Sequence, residues 1–321
     1  MIKAGIIGGA GYTAGELIRI LINHPGAEIA FVQSSSNAGN AVTDVHADLI
    51  GETGLQFEEA PDLHKADVLF LCMGHGRSKS FVKGLPEAYK GKVIDLSNDY
   101  RLKKDAGDFV YGLPELQREK IRKASRIANP GCFATAIQLA VLPLAAAKQL
   151  NEVHVHAVTG STGAGQSPGA TTHFSWRNNN MSVYKAFSHQ HLGEIGETLK
   201  QLQPGFEQDV NFVPVRGDFP RGIMASVYMD SNLTEEMATK LFRNYYSEHP
   251  FTHVAERNPD LKMVINTNKA VVYVKKYGKK IHIISMIDNL LKGASGQAVQ
   301  NMNLIFGLDE LTGLHLKPLA F

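Results

Sequence analysis

The 321-residue sequence predicts an α/β protein that couples a doubly wound parallel sheet to an α+β domain with a mainly antiparallel sheet. Three observations carry that expectation. Up to about residue 132, short continuous apolar runs alternate with helical patterns, as buried parallel strands and their crossover helices do. After it, the strands lengthen and alternate apolar with polar residues, the pattern of an antiparallel sheet with one wet or interface face. The length also exceeds the usual size of one simple core, so two domains with a cleft between them are expected. The boundaries fall at 1–132 with 300–321 for the first domain and at 133–299 for the second.

In chain order, residues 3–8 read as a strand ending in glycines, and the apolar spacing of Glu16 to Ile22 as a helix stopped by Pro25. Further strands follow at Glu28 to Ser34, Ala66 to Cys72, Lys92 to Ser97 and Arg126 to Ala128. In the second domain the strands are Val153 to Thr159, Gly222 to Met229, Ala270 to Val274 and His282 to Ile287, the last two joined by a hairpin turn at Tyr277-Gly278. Thr234 to His249 reads as an amphipathic helix, and Gly296 to Phe306 as a closing helix that packs back on the first domain.

Bulk properties exclude several classes of function. Lys and Arg number 33 against 31 Asp and Glu, without a basic block, so nucleic acid is not an expected partner. No run of about 18 apolar residues occurs, and the strand pattern begins at once without the marks of a signal peptide, so a cytoplasmic protein without membrane association is expected. Only Cys72 and Cys132 are present, too few for a disulfide framework or a Cys-based zinc site, and no metal is expected.

The turn Gly8-Gly9-Ala10-Gly11-Tyr12-Thr13-Ala14-Gly15 stands between the first strand and the first helix, the context that gives a glycine fingerprint its meaning. Gly8 and Gly11 permit a tight turn and a close phosphate approach, and the helix start at Tyr12, Thr13 and Ala14 offers N–H groups to a pyrophosphate. The first domain is therefore of Rossmann type and its ligand a dinucleotide. An NAD site would place a carboxylate at the end of the second strand to accept from the ribose hydroxyls. That end reads Ser34-Ser35-Ser36-Asn37, and with no carboxylate to repel a 2'-phosphate, Ser34 and Ser36 favour NADP.

Cys132 follows Asn129-Pro130-Gly131 at the end of a predicted strand and opens the helical run Phe133 to Leu139. Its thiol is thus expected at a helix N-terminus on the carboxyl edge of a parallel sheet, where ligands bind. A helix end is worth at most about 2 kcal/mol to a thiolate, too little to ionise a thiol fully at neutral pH, so a second activating group is expected. The same N–H groups suit a developing oxyanion. Cys72, inside an apolar run, reads as a small core hydrophobe.

Ser188-His189-Gln190-His191 opens another helical pattern that continues through Leu199. Both histidines can reach a cleft from the irregular entry turn, and one can exchange the protons that a thiol mechanism needs. The competing reading is that they only cap the helix or hold a phosphate. His154 and His156 share one face of a strand and read as wet or interface positions, and His75 as a structural lining residue.

Together with Asp95 to Leu102, Tyr111-Gly112-Leu113-Pro114-Glu115, Gly160 to Gly165, Arg221-Gly222-Ile223 and Asp288 to Gly293, these segments resemble the N-acetyl-gamma-glutamyl-phosphate reductases, which are related in fold to aspartate-semialdehyde dehydrogenases. The resemblance implies NADPH-dependent conversion of an N-acyl-gamma-glutamyl phosphate to the semialdehyde through a thioester on Cys132, in arginine biosynthesis. It implies His189 or His191 as acid and base, with His189 favoured, and a homotetramer or homodimer. It also places Gly163 and Asn289 at the cofactor and Asn129, Ser161 and Arg221 at the substrate, Arg221 holding a carboxylate or phosphate.

The chain departs from that family pattern in places. Phe133-Ala134 follows the nucleophile where Tyr-Pro is common, Gln190 and Gly193 stand where Arg and Pro are usual, and Ser35 and Asn40 replace an Arg and a Lys. Val213 to Pro220 replaces an apolar, His-containing stretch and introduces Arg216. Set at the substrate wall, Arg216 could pair with an extra carboxylate and so select a succinyl over an acetyl group; a surface Arg in a loop is the competing reading. Rival functions are the same chemistry on aspartyl or N-acyl-aminoadipyl phosphate, a non-catalytic NADP-binding sensor, and a Cys-His hydrolase, which has no use for the glycine turn.

Overall fold

The computed structural model describes residues 1–319 and divides the chain into two compact units, Met1–Pro130 with Ala294–His315, and Gly131–Gly293 with the segment from Leu316. In the first unit, β1 (Ile2–Ile7) leads through the glycine turn into α1 (Tyr12–Leu21) and returns as β2 (Ala27–Gln33). β3 (Phe57–Glu58), β4 (Val68–Leu71), β5 (Lys92–Asp95), β6 (Val110–Tyr111) and β7 (Arg126–Ala128) complete a seven-stranded sheet in the order β3-β2-β1-β4-β5-β7-β6. Every pairing in it is parallel. The strand order reverses between β1 and β4, which is where open sheets of this kind bind ligands beyond the strands' carboxyl ends.

All four residues of β4 are buried, which is why the strand is continuously apolar rather than alternating. Crossovers are made by α2 (Ser78–Lys83), α3 (Lys103–Ala106) and α4 (Pro114–Arg122). Helix α1 turns Ala14, Leu17, Ile18 and Leu21 inward, the i, i+3, i+4, i+7 stripe of a helix lying on a sheet. The closing helix, Ser295–Ile305, belongs to this unit and packs against α1 and α4. It is buried throughout although rich in amides, several of whose N–H groups find acceptors inside the unit. Asn301 Nδ2 donates to Gly112 O (2.9 Å) and Asn129 Oδ1 (3.1 Å), and Gln300 Nε2 to Glu310 Oε2 (2.8 Å).

The second unit opens with α5 (Cys132–Ala146), buried from Phe133 to Ala145 and therefore apolar all round. After it come β8 (Val153–Thr159), α6 (Phe174–Arg177), β9 (Ser182–Val183), α7 (His191–Leu202), β10 (Val210–Arg216) and β11 (Ile223–Asp230). α8 (Glu235–Tyr246), β12 (Thr252–Val254), β13 (Ala270–Tyr277) and β14 (Lys280–Ile287) follow. The sheet order is β12-β13-β14-β11-β8-β10-β9. The sheet is mostly antiparallel, but β10 pairs with β8, and β12 with β13, in parallel. Tyr277 pairs with Lys280, leaving a two-residue hairpin loop whose first residue, Gly278, takes φ +56°.

Five strands were not expected: the short β3, β6, β9 and β12, and β10. Val213 to Arg216 forms the end of β10, so Arg216 closes a strand and is not a surface loop residue. Pro214 lies just before the two residues that pair with β9, where β10 is otherwise an edge and the missing N–H costs least. Among the described residues, no helix is long and apolar enough to cross a membrane.

Candidate active site

In the second unit, Cys132 is the first residue of α5, half-buried, with Gly131 as the helix cap at φ −71° and ψ 150°. The thiol is not in a disulfide. Gly131 has a steric reason to be glycine: a Cβ there would lie 2.3 Å from His191 Nε2 and 2.6 Å from its Cε1. The imidazole of His191 therefore rests directly on the backbone that leads into Cys132. Glu194, one turn further along α7, joins the two, because its Oε2 accepts from Gly131 N at 2.9 Å and its Oε1 lies 3.9 Å from His191 Nε2. Gly293 clears the other side, where a Cβ would come within 2.8 Å of Cys132 Cβ.

His189 occupies different ground. It is 5% exposed, with its ring set edge-on to Phe133 and Phe212 (5.4 Å each) and Tyr184 (5.8 Å). Its Nδ1 accepts from His191 N at 3.2 Å, which fixes the entry turn of α7. Burial, reinforced by the charge of Lys185, pushes its pKa down to about 4, so it is neutral across the physiological range. The structure thus separates the two histidines that spacing alone could not: His191 lies against the Gly131 backbone that leads into Cys132, and His189 lies in an aromatic box.

Two arginines join this surrounding. Arg216 NH1 donates to Thr171 Oγ1 at 2.7 Å, and its guanidinium lies 4.6 Å over the ring of Tyr184. The Tyr184 hydroxyl is pushed up by burial and by the nearby Cys132. Arg221 instead directs Nε and NH2 at the buried Asp288, at 3.1 Å each. Asp288 also accepts from the backbone N–H groups of Asn266, Leu290 and Leu291. Arg221 therefore enters as half of an ion pair with Asp288.

Two expected contact residues make buried hydrogen bonds within the protein. Asn129 is fully buried in the first unit, donating to Ala294 O (3.0 Å) and accepting from Asn301 Nδ2 (3.1 Å), and so holds the end of β7. Asn289 is 2% exposed, accepting from Gly222 N (2.7 Å) and donating to Thr162 Oγ1 (3.0 Å). It braces the turn at Ser161–Ala164 from behind, leaving half-buried Ser161 and exposed Gly163 on the open side. His154 stacks on Tyr228 at 5.0 Å and His156 points outward from β8.

In the first unit, Gly8 takes φ +83°, and a Cβ there would meet the backbone of Cys72 and Met73 at 3.0 Å. Gly11 caps α1 with nothing within 4 Å of the place a Cβ would take, so the start of that helix faces open space. The first N–H groups of a helix have no intrahelical acceptor, so Tyr12 and Thr13 point donors into that space. Ala14 is fully buried and serves packing. Just past β2, the hydroxyls of Ser34 and Ser36 stand 3.4 Å apart, both accepting from Asn37 Nδ2. This combination of bare backbone, helix start and hydroxyls without a carboxylate fits a dinucleotide. Cys72, one residue beyond β4, is pushed up to about 12 by burial and is no nucleophile at neutral pH.

Sequence reasoning missed Glu194, Tyr184 and Arg177 and assigned no role to Asp288. Glu194 had a signal, since i, i+3 spacing from His191 sets both on one helical face. The others are brought in by the fold.

Residues 3–124 match the family model described as semialdehyde dehydrogenase, NAD binding domain, and residues 132–289 the one described as semialdehyde dehydrogenase, dimerisation domain. The chain is 58% identical to the N-acetyl-gamma-glutamyl-phosphate reductase of Parabacteroides distasonis, with all of both chains covered, and 60% identical to that of Azobacteroides pseudotrichonymphae, again over both whole lengths. Aspartate semialdehyde dehydrogenase II from Vibrio cholerae shares the fold, with a TM-score of 0.77, 16% identity, and 96% of this chain and 99% of that one covered. An identity of this size over the whole length, together with both domain models, shows that the chain belongs to the N-acetyl-gamma-glutamyl-phosphate reductase family of semialdehyde dehydrogenases.

Proposed function

We propose that this protein is an NADPH-dependent reductase that converts an N-acyl-gamma-glutamyl phosphate to the N-acyl-glutamate semialdehyde, in arginine biosynthesis in the cytoplasm, as a homotetramer or homodimer. The observation that carries the mechanism is the seat of Cys132 at the first position of α5, with the His191–Glu194 pair resting against its flanking backbone.

His191 takes the thiol proton, and the sulfur attacks the gamma-carbonyl carbon. A carbon–sulfur bond forms, the carbon–oxygen bond to phosphate breaks, and phosphate leaves. The N–H groups at the start of α5 hold the oxyanion of that addition. When bound, the reduced nicotinamide supplies the hydride that reduces the thioester carbon. The resulting thiohemiacetal oxyanion collapses to the aldehyde, and His191 returns its proton to the departing Cys132 sulfur. Glu194 keeps the imidazole oriented and supports its charged form.

The first unit is the part that holds the cofactor, through the helix start at Gly11 to Thr13 and, for the 2'-phosphate, through Ser34 and Ser36. Placing a carboxylate there opposes a second phosphate charge. Ser36→Asp is expected to raise the KM for NADPH at least about 10-fold while changing the KM for NADH far less. Steady-state kinetics with the two cofactors checks this, and equal changes for both would contradict the assignment.

The whole reading is tested by following NADP reduction with N-acetyl- and N-succinyl-glutamate semialdehydes, with and without phosphate. Phosphate-dependent reduction with at least one of them is expected. No reduction with either, or reduction indifferent to phosphate, would overturn it.

A further inference from the structure

Arg177 is 8% exposed, yet its Nε, NH1 and NH2 are all buried and make no hydrogen bond among the described residues. A guanidinium carries five donors in a fixed fork, and burying its charge is costly unless an anion meets it. A second cation makes the placement harder still: burial, and then Arg216, work against the charge of Arg177, while Asp218 is the counter-charge that acts on it among the described residues. Asp218 is already engaged, its Oδ2 accepting from Asn179 N at 2.8 Å. The segment that carries Arg177 is tied to the end of β10 on both sides, by Arg216 NH1 donating to Thr171 Oγ1 (2.7 Å) and by Asn179 N donating to Asp218 Oδ2 (2.8 Å), and two guanidinium groups in one such neighbourhood suit a bound anion.

Their place in the second unit indicates which anion. Arg216 lies 4.6 Å over the Tyr184 ring, and that ring stands 5.8 Å from His189, itself 4.6 Å from the His191 ring that rests on the Gly131 backbone, so aromatic rings separate the cations from the seat of the thiol. The phosphate of an acyl phosphate is bonded to the very carbon that the sulfur attacks, so its seat is at the thiol. A site set off from the thiol by aromatic rings suits a group remote from the reacting carbon.

We propose that Arg177 and Arg216 together form a carboxylate-binding site for the substrate, with Arg177 the residue that determines specificity. The assignment rests on the reductase reading above. Two carboxylates have the right chemistry: the alpha-carboxylate of the glutamyl group, and the terminal carboxylate that a dicarboxylic acyl group such as succinyl would add. Either meets the planar fork with paired, charge-assisted hydrogen bonds.

The test measures oxidation of N-acetyl- and N-succinyl-glutamate semialdehydes at saturating phosphate and NADP by the unaltered protein, Arg177→Met and Arg177→Lys. Arg177→Met is expected to lower kcat/KM at least about 10-fold, mainly through KM, and Arg177→Lys to lower it less. A loss on both substrates identifies the alpha-carboxylate, and a loss confined to the succinyl form identifies the terminal one. Unchanged KM values for both, or a rise only in the KM for phosphate, would overturn the proposal. Should Arg177→Met fail to fold, inhibition of the unaltered protein by N-acetylglutamate and N-succinylglutamate, each against its alpha-amide and, for the succinyl compound, its terminal amide, gives the same answer. At least one amide should then bind about 10-fold more weakly than its acid, whereas equal inhibition by every acid and amide would contradict the site. If the unaltered protein oxidises neither semialdehyde, the reductase reading fails on its own. The site is then read from the rise in melting temperature that the two N-acylglutamates cause and that Arg177→Met removes; no rise with either would overturn it.

Discussion

Cys132→Ser is expected to abolish turnover, with kcat falling by roughly a thousandfold or more, while the dinucleotide binds as before. The reason is chemical. A hydroxyl at the same position is far harder to ionise than a thiol, and the ester it could form gives up its carbonyl to reduction less readily than a thioester. The start of α5 and the neighbouring imidazole can activate a thiol, but not an alcohol. The substitution preserves size at a half-buried position, so circular dichroism and melting temperature should be unchanged. A serine variant that turns over normally would show that the sulfur is not the nucleophile.

The second large effect concerns the histidines. His191→Asn is expected to lower kcat by about 10²- to 10⁴-fold, the usual worth of a positioned acid and base, and to remove the limb of the pH–rate profile that its imidazole creates. His189→Asn should cost far less, since that ring is held neutral in an aromatic box with Nδ1 occupied by the backbone of residue 191. What remains of its effect should be traced to a looser entry turn of α7, with the pH profile keeping its shape. Kinetics of the two variants from about pH 5 to 9 decide the matter. The reverse ranking would return the acid–base role to His189, the residue that the sequence favoured.

Where sequence and structure agree, the local physics has only one solution. The turn from Gly8 to Gly11 was legible because positive φ and close backbone approach exclude other residues, and β4 because a strand covered on both faces must be apolar throughout. The seat of Cys132 followed from the strand-to-helix pattern around it. β10 was missed because Pro214 interrupts it and because an edge that carries only two paired residues tolerates what a central strand would not.

Other features depend on packing that no spacing encodes. His189 and His191 are equivalent at i and i+2, and only the aromatic neighbours of one and the Gly131 backbone beside the other tell them apart. Asn129 and Asn289 sit in motifs beside the chemistry, and no spacing shows that their amides also satisfy backbone groups. Arg177 lies in no motif at all, and its meaning comes from burial without a partner.

The most direct test is to mix the protein with the semialdehyde substrate and NADP while withholding phosphate, then measure reduced cofactor and intact protein mass together. One equivalent of NADPH per active site should appear in a burst, with an N-acyl-glutamyl adduct that maps to Cys132 and is released when phosphate is added. Continued turnover without phosphate, a burst with no adduct, or an adduct on another residue would contradict the account.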